Sequence, residues 1–460
     1  MKISVLNGSP KGDVSVTMQY VHYIQKMFPD NAMTVHNISQ RIKAIEKDKR
    51  LFDEIMRDVK SSDLVIWAFP LYYLLVPSQY KRFIEMIFER KAAGAFGSRY
   101  AAVITTSIHF FDHTAHNYMR AICDDLGMKF AGSYSAAMYD LTRSKERGRF
   151  KTFAEIMLHD VKKNQPVSRS YWPVTKKKFM YKPSLAGKKV DPGKKKILIL
   201  TDAKGGSSNQ AAMVKRLRAS FSVEPPVVNL HDIDIKGGCL GCIQCGYDYQ
   251  CVYGDSDGYH EFFETRVKTA DIIFYCGEIS DRYLSARWKQ FIDRSFYNNH
   301  TPVLEGKQVG FLVSGPLNEL PSLKEMCQVY PEFQQANLVD IVSDECGNSK
   351  QLDAQIHAMA SRAVTLADKN YATPKTFLSI GGQKIFRDEI WSSLRFPFIA
   401  DHAYYKKHGM YDFPQSRRKQ IVISSILMTL SKIPGFRAEI YKKRMKDEMV
   451  KPLKSVLRSK

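Results

Sequence analysis

The chain has 460 residues, enough for two to four domains that each bury a core. Its 44% hydrophobic and 25% charged residues exclude an intrinsically disordered protein. No apolar run approaches the length of a transmembrane helix and the start lacks a secretory signal, so we expect a cytoplasmic protein. Eight unevenly spaced cysteines agree with a reducing compartment.

The formal net charge of +22 is concentrated in two segments. Residues 176–196 hold nine lysines and one aspartate, and residues 417–460 hold thirteen Lys or Arg against three Asp or Glu. Because the rest of the chain is close to balanced, we expect no nucleic-acid partner. The basic tail could instead remain in solvent or contact an anionic membrane surface or an acidic partner.

In chain order, the first element is a buried strand that ends in a loop rich in Gly, Ser and Lys. The apolar residues then recur at helical spacing, which predicts an amphipathic helix over about 15–28. Amide groups at a helix N-terminus, the hydroxyls of Ser9, Ser15 and Thr17 and the Lys11 ammonium together favour a phosphate monoester. Neither a nucleoside-triphosphate loop nor a dinucleotide fingerprint fits these residues, and a plain strand-to-helix turn is the alternative.

Alternating strands and helices continue to about residue 163. Strands are predicted near 33–37, 64–70, 100–106 and 129–136, with helices between them. This alternation indicates a parallel sheet with helices on both faces. Ligands of such sheets bind beyond the carboxyl ends of the strands, so the loops at 7–17 and 70–77 should face one crevice.

The Gly-Ser-Pro-Lys loop at 8–11, its following Ser and Thr, and the Pro-x-Tyr loop at 70–72 resemble the flavodoxin-like NAD(P)H-dependent FMN reductases. The resemblance implies bound FMN, with flavin-contacting loops after the first, third and fourth strands. His109 is a candidate contact to flavin or substrate. The implied FMN-binding residues of this domain are Ser9, Lys11, Ser15, Thr17, Met18, Pro70, Leu71, Tyr72, Tyr73, Thr105, Thr106, Ser107 and His109.

The pattern restarts after a Pro-, Lys- and aromatic-rich stretch. Residues 3–6 align with 197–200 at an offset of 194, whereas 62–67 align with 270–275 at an offset of 208. The second copy has therefore gained 14 residues between its first and third strands. Its phosphate-type loop offers Ser207, Ser208 and Asn209, but the Pro-x-Tyr loop is missing, so a second FMN is an open alternative.

The longer interval contains Cys239, Cys242, Cys245 and Cys251, spaced C-x2-C-x2-C-x5-C. Short spacings with glycines between them let one loop direct several thiolates at one centre. The string resembles the motif of the iron-sulfur flavoproteins, which implies a [4Fe-4S] cluster. Structural zinc and metal-free thiols are the alternatives.

We therefore predict an α/β protein of two tandem flavodoxin-like doubly wound domains with a helical C-terminal extension. The predicted parts are an FMN-binding domain 1–165, a basic linker 166–195, a second domain 196–370 with the cysteine-rich insertion, and a basic extension 371–460. Helices over 417–432 and 436–459 in the extension could cover the flavin crevice, lie on a membrane or pack a homodimer interface.

The function that the resemblance implies is an NAD(P)H-dependent FMN oxidoreductase. Its small-molecule acceptor would be a quinone, a nitro or azo compound, an enone or free flavin, reached directly or through the cluster. The alternative is a non-catalytic flavin and iron-sulfur electron carrier between protein partners. No general acid or base is evident in the sequence, which suits chemistry carried by the cofactor.

Overall fold

The computed structural model describes residues 1–175, 179–184, 187–413 and 418–445. The chain forms two compact units, Met1–Tyr404 and Tyr405–Lys460. The extension predicted over 371–460 is therefore divided, because its residues up to Tyr404 belong to the larger unit. The lysines at 176–178 and most of the helix predicted over 436–459 lie outside the described residues.

The first domain is a five-stranded parallel sheet in the order β2-β1-β3-β4-β5, which is the flavodoxin-like order. Its strands are β1 (Lys2–Asn7), β2 (Ala32–Asn37), β3 (Leu64–Pro70), β4 (Tyr100–Ser107) and β5 (Lys129–Ala137). Its helices are α1 (Val16–Met27), α2 (Ile38–Lys47), α3 (Lys49–Ser61), α4 (Ser78–Glu89), α5 (Asp112–Asp125) and α6 (Ser144–Lys162). β3 is buried along both faces, which explains its continuous apolar run.

The second domain repeats this topology in the order β10-β9-β8-β6-β7. Its strands are β6 (Ile197–Thr201), β7 (Val227–Asn229), β8 (Ile272–Glu278), β9 (Gln308–Ser314) and β10 (Asn337–Ser343). Its helices are α7 (Asn209–Ala219), α8 (Tyr259–Phe262), α9 (Ala286–Arg294), α10 (Pro321–Phe333) and α11 (Ser349–Asp368). The predicted fold class, two tandem flavodoxin-like domains, is confirmed.

Helices α4 and α9, which are equivalent in the repeat, pack against each other and join the two domains. Glu85 on α4 accepts a hydrogen bond from the first amide of α9, Ala286 N, at 2.6 Å. Asp293 on α9 accepts one from the first amide of α4, Ser78 N, at 2.7 Å. Each carboxylate thus caps the partner helix, and residues 85 and 293 differ by the 208 positions of the repeat. Helices α4 and α9 therefore contact each other as two copies of one helix do across the axis of a two-fold symmetric dimer, although both belong to one chain.

The predicted linker is partly packed against the second domain. Tyr181 is 4% exposed and belongs to the core of that domain. Its hydroxyl donates to Asp353 Oδ1 at 2.5 Å, and its amide donates to Asn209 Oδ1 at 2.8 Å. This stretch thus differs from a solvated linker, because its aromatic side chain fills a core position.

The remaining helices are α12 (Phe377–Trp391), α13 (Ile399–Lys407), α14 (Arg418–Leu430) and α15 (Pro434–Ala438). α12 packs on α10 and brings Phe386 against Phe333 and Phe110, with ring centroids 5.5 and 4.9 Å apart. Within the described ranges, no single helix is long and apolar enough to cross a membrane.

Candidate functional site

The loop after β1 is shaped by close contacts at its start. Gly8 N donates to Ala68 O at 2.7 Å, and a Cβ at Gly8 would lie 2.7 Å from the Tyr80 ring, so only glycine fits there. Ser9 N donates to Asn7 Oδ1 at 2.9 Å, and Lys11 N donates to Ser9 Oγ at 3.2 Å. These bonds hold the loop in a tight turn before α1.

Ser15 is the N-cap of α1, because its Oγ accepts from Met18 N at 3.2 Å. Its hydroxyl hydrogen remains available to a ligand. The amides of the first turn carry the positive end of a twelve-residue helix. Ser9, Lys11 and Ser15 all line the cavity that begins here. This donor set fits a phosphate monoester.

The cavity has a volume of about 940 Å³, part of which is open to solvent. Its first wall belongs to the first domain and consists of Ser9, Lys11, Ser15, Val16, Pro70, Leu71, Tyr72, Thr106, Ser107, Ile108, Phe110 and Met138. Its second wall comes from later parts of the chain and consists of Gly241, Ile243, Phe296, His300, Phe386, Leu394 and Phe398. The site is therefore composite, whereas the sequence predicted it within the first domain alone.

Tyr72 connects the two walls. Burial raises the pKa of its phenol well above the ordinary value, and the nearby Cys239 and Asp293 act in the same direction. The ring lies 6.0 Å from that of Phe296 in the second domain. A Cβ at Gly241 would lie 2.1 Å from the phenol oxygen, and Gly241 has a φ of +62°. Glycine is thus required where the cysteine loop crosses Tyr72.

The cysteine-rich insertion docks on the first domain. Gln79 Nε2 on α4 donates to Cys239 O at 3.2 Å, and a Cβ at Gly238 would meet Ser78 Oγ at 2.0 Å. The insertion thus lies at the crevice of the first domain. The insertion covers the crevice of the other repeat, a function that its spacing did not indicate.

The four cysteines do not fit a metal centre. Over the residues that the structure describes, which include all four, no group of three or more His, Cys, Asp or Glu side chains could hold a metal ion. Cys239 and Cys245 are free thiols, and burial raises the pKa of both, that of Cys245 to about 12. The predicted [4Fe-4S] cluster and the zinc alternative are therefore not supported.

The structure brings eight predicted residues of the first domain to the cavity and leaves five outside its wall. Those that line it are Ser9, Lys11, Ser15, Pro70, Leu71, Tyr72, Thr106 and Ser107. Thr17 and Met18 are buried on the inner face of α1, where Thr17 Oγ1 lies 2.6 Å from Thr106 Oγ1. Thr17 thus positions a wall residue from behind.

The other three predicted residues have different surroundings. Tyr73 points into the contact between the domains, with its ring 6.0 Å from that of Tyr330. Thr105 Oγ1 lies 2.8 Å from His116 Nε2. His109 Nδ1 lies 2.9 Å from Asp112 Oδ2, which raises the pKa of this half-exposed histidine. None of the three side chains reaches the cavity wall.

The equivalent crevice of the second domain differs in charge. Four carboxylates line it, those of Asp202, Glu278, Asp344 and Glu345, against one lysine, Lys204. Burial raises the pKa of Glu278, and Asp202 and Asp344 add to that shift.

Two of the three side chains predicted to bind a second phosphate are engaged or lie outside this crevice. Ser208 Oγ caps α7 by accepting from Ala211 N at 3.1 Å, as Ser15 does for α1, but Asn209 Nδ2 donates to Phe179 O and to Asp344 Oδ2, both at 2.8 Å. Ser207 is exposed and does not line the crevice. A phosphate dianion would meet several negative charges here, so these residues do not fit a second FMN.

Sequence reasoning missed a buried histidine in the second wall and the buried aspartate that contacts it. His300 is 4% exposed and Asp401 is 2% exposed, and Nδ1 of the histidine lies 2.9 Å from Oδ2 of the aspartate. The imidazole lies 4.5, 4.8 and 4.9 Å from the rings of Phe386, Phe296 and Phe398. The only sequence signal is the polar run Asn298-Asn299-His300 in a segment that is entirely buried.

Residues 1–155 match the protein-family model described as "Flavodoxin-like fold". No curated protein matches the chain. Among solved structures, an FMN-dependent NADH-azoreductase from Bacillus anthracis in complex with FMN is 15% identical over 34% of this chain and 98% of its own, with a TM-score of 0.27. The flavoenzyme NAD(P)H:(acceptor) oxidoreductase from Paracoccus denitrificans is 16% identical over 34% and 97%, with a TM-score of 0.27.

A third solved structure, general stress protein 14 from Treponema denticola in complex with FMN, is 12% identical over 36% of this chain and 99% of its own. Its TM-score is 0.27. Because the TM-scores are this low, the fold assignment depends on the strand order and the family model.

Proposed function

We propose that this chain, whose first domain belongs to the flavodoxin-like fold family, is an NAD(P)H-dependent FMN oxidoreductase with one flavin site per chain. The observation that supports this most is the convergence of three loops on one cavity. The donor loop before α1, the Pro70–Tyr72 loop and the Thr106–Ser107 loop come from separate parts of the chain. The Gly-Ser-Pro-Lys and Pro-x-Tyr motifs stand on two of them.

The residues of the cavity divide into a polar end and an aromatic end. Ser9, Lys11 and Ser15 would hold the FMN phosphate, because they supply two hydroxyls and an ammonium at a helix N-terminus. The backbone at 70–72 and 106–107 would lie along the isoalloxazine ring. When bound, FMN supplies hydride transfer between NAD(P)H and an acceptor.

Tyr72 would act as a neutral, polarisable surface at the ring. Its raised pKa keeps the phenol protonated at neutral pH, so it adds no negative charge beside the cofactor. The rings of Phe296, Phe386 and Phe398 would keep water from the other side of the cavity. These rings belong to the second domain and to the segment after it, which explains why one domain alone does not complete the site.

We assign proton delivery to His300. Reduction of a quinone, enone or azo acceptor by a hydride adds two electrons and one proton, so a second proton must come from another donor. His300 lies in the cavity wall, and its Nδ1 is held by the Asp401 carboxylate. The carboxylate at Nδ1 fixes the orientation of the ring, so that Nε2 would give its proton to the acceptor and regain one from solvent.

The alternative function is a non-catalytic flavin carrier between protein partners. An enzyme would consume NAD(P)H continuously with a small acceptor, whereas a carrier would require a separate reductase. The buried His300 and Asp401 pair favours the enzyme, because outer-sphere electron transfer has no use for a proton donor. Steady-state oxidation of NADH and of NADPH with quinone, nitro, azo and enone acceptors by the purified holoprotein distinguishes the two functions.

The flavin site itself is tested by two double variants, one in the loop before α1 and one in the equivalent loop before α7. Ser9→Ala with Lys11→Ala should weaken FMN binding by about 100-fold or more, because two ligand-facing donors are lost. The matched control is Lys204→Ala with Ser207→Ala, which removes the same residue types from the loop of the second domain. Flavin content and fluorescence titration give the result. If the control variant loses FMN and the first variant keeps it, the cofactor binds the second domain and the proposal is wrong.

A further inference from the structure

Helix α14 presents apolar side chains on all of its sides. Seven apolar residues between 421 and 430 are 37 to 70% exposed, namely Ile421, Val422, Ile423, Ile426, Leu427, Met428 and Leu430. At 100° per residue these positions are spread around the whole helix circumference. A helix that packs one face against a protein would instead have apolar residues on that face and charged or polar residues on the opposite face.

Three hydroxyls in and directly after this helix donate to its own backbone. Ser425 Oγ donates to Ile421 O at 2.9 Å, Thr429 Oγ1 donates to Ser425 O at 3.0 Å, and Ser431 Oγ donates to Met428 O at 2.7 Å. The sequence has no charged residue from 421 to 431. Hydroxyls bonded in this way need no water, so the segment is compatible with a hydrocarbon environment.

The dimensions fit one leaflet of a bilayer. Ile421–Leu430 spans about 15 Å at 1.5 Å per residue, about half of the 30 Å hydrocarbon core. After a break, Pro434–Tyr441 continues at 117° to this helix, and the two segments together pass the length and composition required of a broken or re-entrant span. The chain therefore turns back after the apolar helix.

Basic residues stand at both ends of the apolar segment. The sequence places arginine, arginine and lysine at 417–419 and lysine, lysine and arginine at 442–444. Lys419 is exposed, and Lys443 and Arg444 remain more than half exposed although both pair with Glu439. A hairpin that enters and leaves one side of a membrane places both clusters at the headgroups, where each cation gains about 1 kcal/mol from anionic lipid.

We infer that residues 418–444 form a re-entrant hairpin that inserts into one leaflet of an anionic membrane. Lipid explains the apolar circumference, the internally bonded hydroxyls and the flanking cations together. A second copy of the chain would cover one side of α14 and leave the other side in water. The inference concerns attachment and is independent of the proposed flavin chemistry.

Co-sedimentation of the full-length protein with vesicles tests this inference. We expect binding to phosphatidylcholine vesicles that contain phosphatidylglycerol, weaker binding to phosphatidylcholine alone, and weaker binding at high salt. Ile423→Asp with Leu427→Asp should lower the partition coefficient by about 100-fold or more, because charges are costly in hydrocarbon. Ile156→Asp with Val223→Asp is the matched control, since both residues are exposed on the larger unit.

Two outcomes would overturn the inference. In the first, both double variants bind the anionic vesicles as well as the unchanged protein does. In the second, Ile423→Asp with Leu427→Asp converts an oligomer into a monomer in sedimentation velocity without lipid, while vesicle binding is unchanged. That result would assign α14 to contact between copies of the chain. Far-UV circular dichroism and flavin content, both expected to be unchanged, confirm that the variants are folded.

Discussion

Glu85 should contribute much more to stability than Glu89, although both are glutamates on α4. Glu85 is 6% exposed, and its carboxylate accepts from Lys81 Nζ at 2.9 Å and from Ala286 N at 2.6 Å. Glu89 has a side chain that is 48% exposed and pairs with Arg82 at 2.7 Å. Replacing each by alanine therefore compares a buried contact between the domains with a surface ion pair on the same helix.

The expected cost of Glu85→Ala follows from the groups it leaves behind. Removing one partner of a buried ion pair typically costs about 3–5 kcal/mol, and the Asp281 carboxylate that stays 2.9 Å from Lys81 Nζ places this site toward the lower end. The amide of Ala286 also loses its acceptor, at about 1–3 kcal/mol. We expect a total of about 4 kcal/mol for Glu85→Ala and below about 1 kcal/mol for Glu89→Ala.

The contribution should also depend on pH. Burial opposes ionisation of Glu85, but the Lys81 ammonium outweighs it, so the pKa of the carboxyl lies below its ordinary value of 4.5. A carboxyl whose folded pKa is depressed stabilises the fold above its unfolded pKa and loses that contribution as the pH falls through the folded value. The difference in unfolding free energy between the unchanged protein and Glu85→Ala should therefore decrease below pH 4.5.

Urea unfolding followed by tryptophan fluorescence measures these differences. Trp67 in the first domain and Trp288 in the second are both fully buried, so each domain carries a probe. Glu85→Gln keeps an acceptor for the amide and should fall between the two alanine variants. Equal losses in Glu85→Ala and Glu89→Ala would show that the contact between α4 and α9 does not depend on its buried carboxylates.

Two further predictions concern the site, and a third concerns His109, which lies outside the cavity wall. Gly241→Ala should weaken FMN binding far more than Gly254→Ala. Both glycines have a positive φ, but only a methyl group at position 241 would lie 2.1 Å from the buried phenol oxygen of Tyr72. Equal FMN affinities of the two variants would contradict this. His300→Gln should slow quinone reduction by about 100-fold while ferricyanide reduction and flavin content stay unchanged, and parallel losses with both acceptors would exclude proton delivery. Asp112→Asn should lower the raised pKa of His109 toward about 6.5 in an NMR titration, and an unshifted histidine would contradict the assigned hydrogen bond.

The fold and the polar end of the site could be predicted from local sequence. Alternating apolar runs predicted the parallel strands, and the residues after β1, β3 and β4 were predicted to meet because they follow neighbouring strands of one sheet. Tyr73 shows where this reasoning stops. Tyr72 and Tyr73 are adjacent and chemically identical, but Tyr72 lines the cavity and Tyr73 packs against Tyr330 of the second domain.

The second wall could not be predicted because it depends on contacts between distant segments. Gly241, His300 and Phe386 are far from the flavin motif in sequence and carry no local signal of a shared site. The cysteine spacing was predicted to hold a cluster, since spacing shows which thiols can converge but not whether they do. In the structure the loop glycines have another use, as Gly241 lets the loop cross Tyr72 and Gly238 lets it approach α4.

The repeat within one chain explains how the proposed FMN can have a single crevice. In a symmetric pair each site would be completed by the partner subunit, and both would have to keep the donor loop and the covering segments. Within one chain the copies are free to diverge. The second copy has four carboxylates in its own crevice, and its insertion and the buried histidine line the cavity of the first copy. Glu85 and Asp293 keep the pairing of the helices, which holds the covering loop over the remaining site.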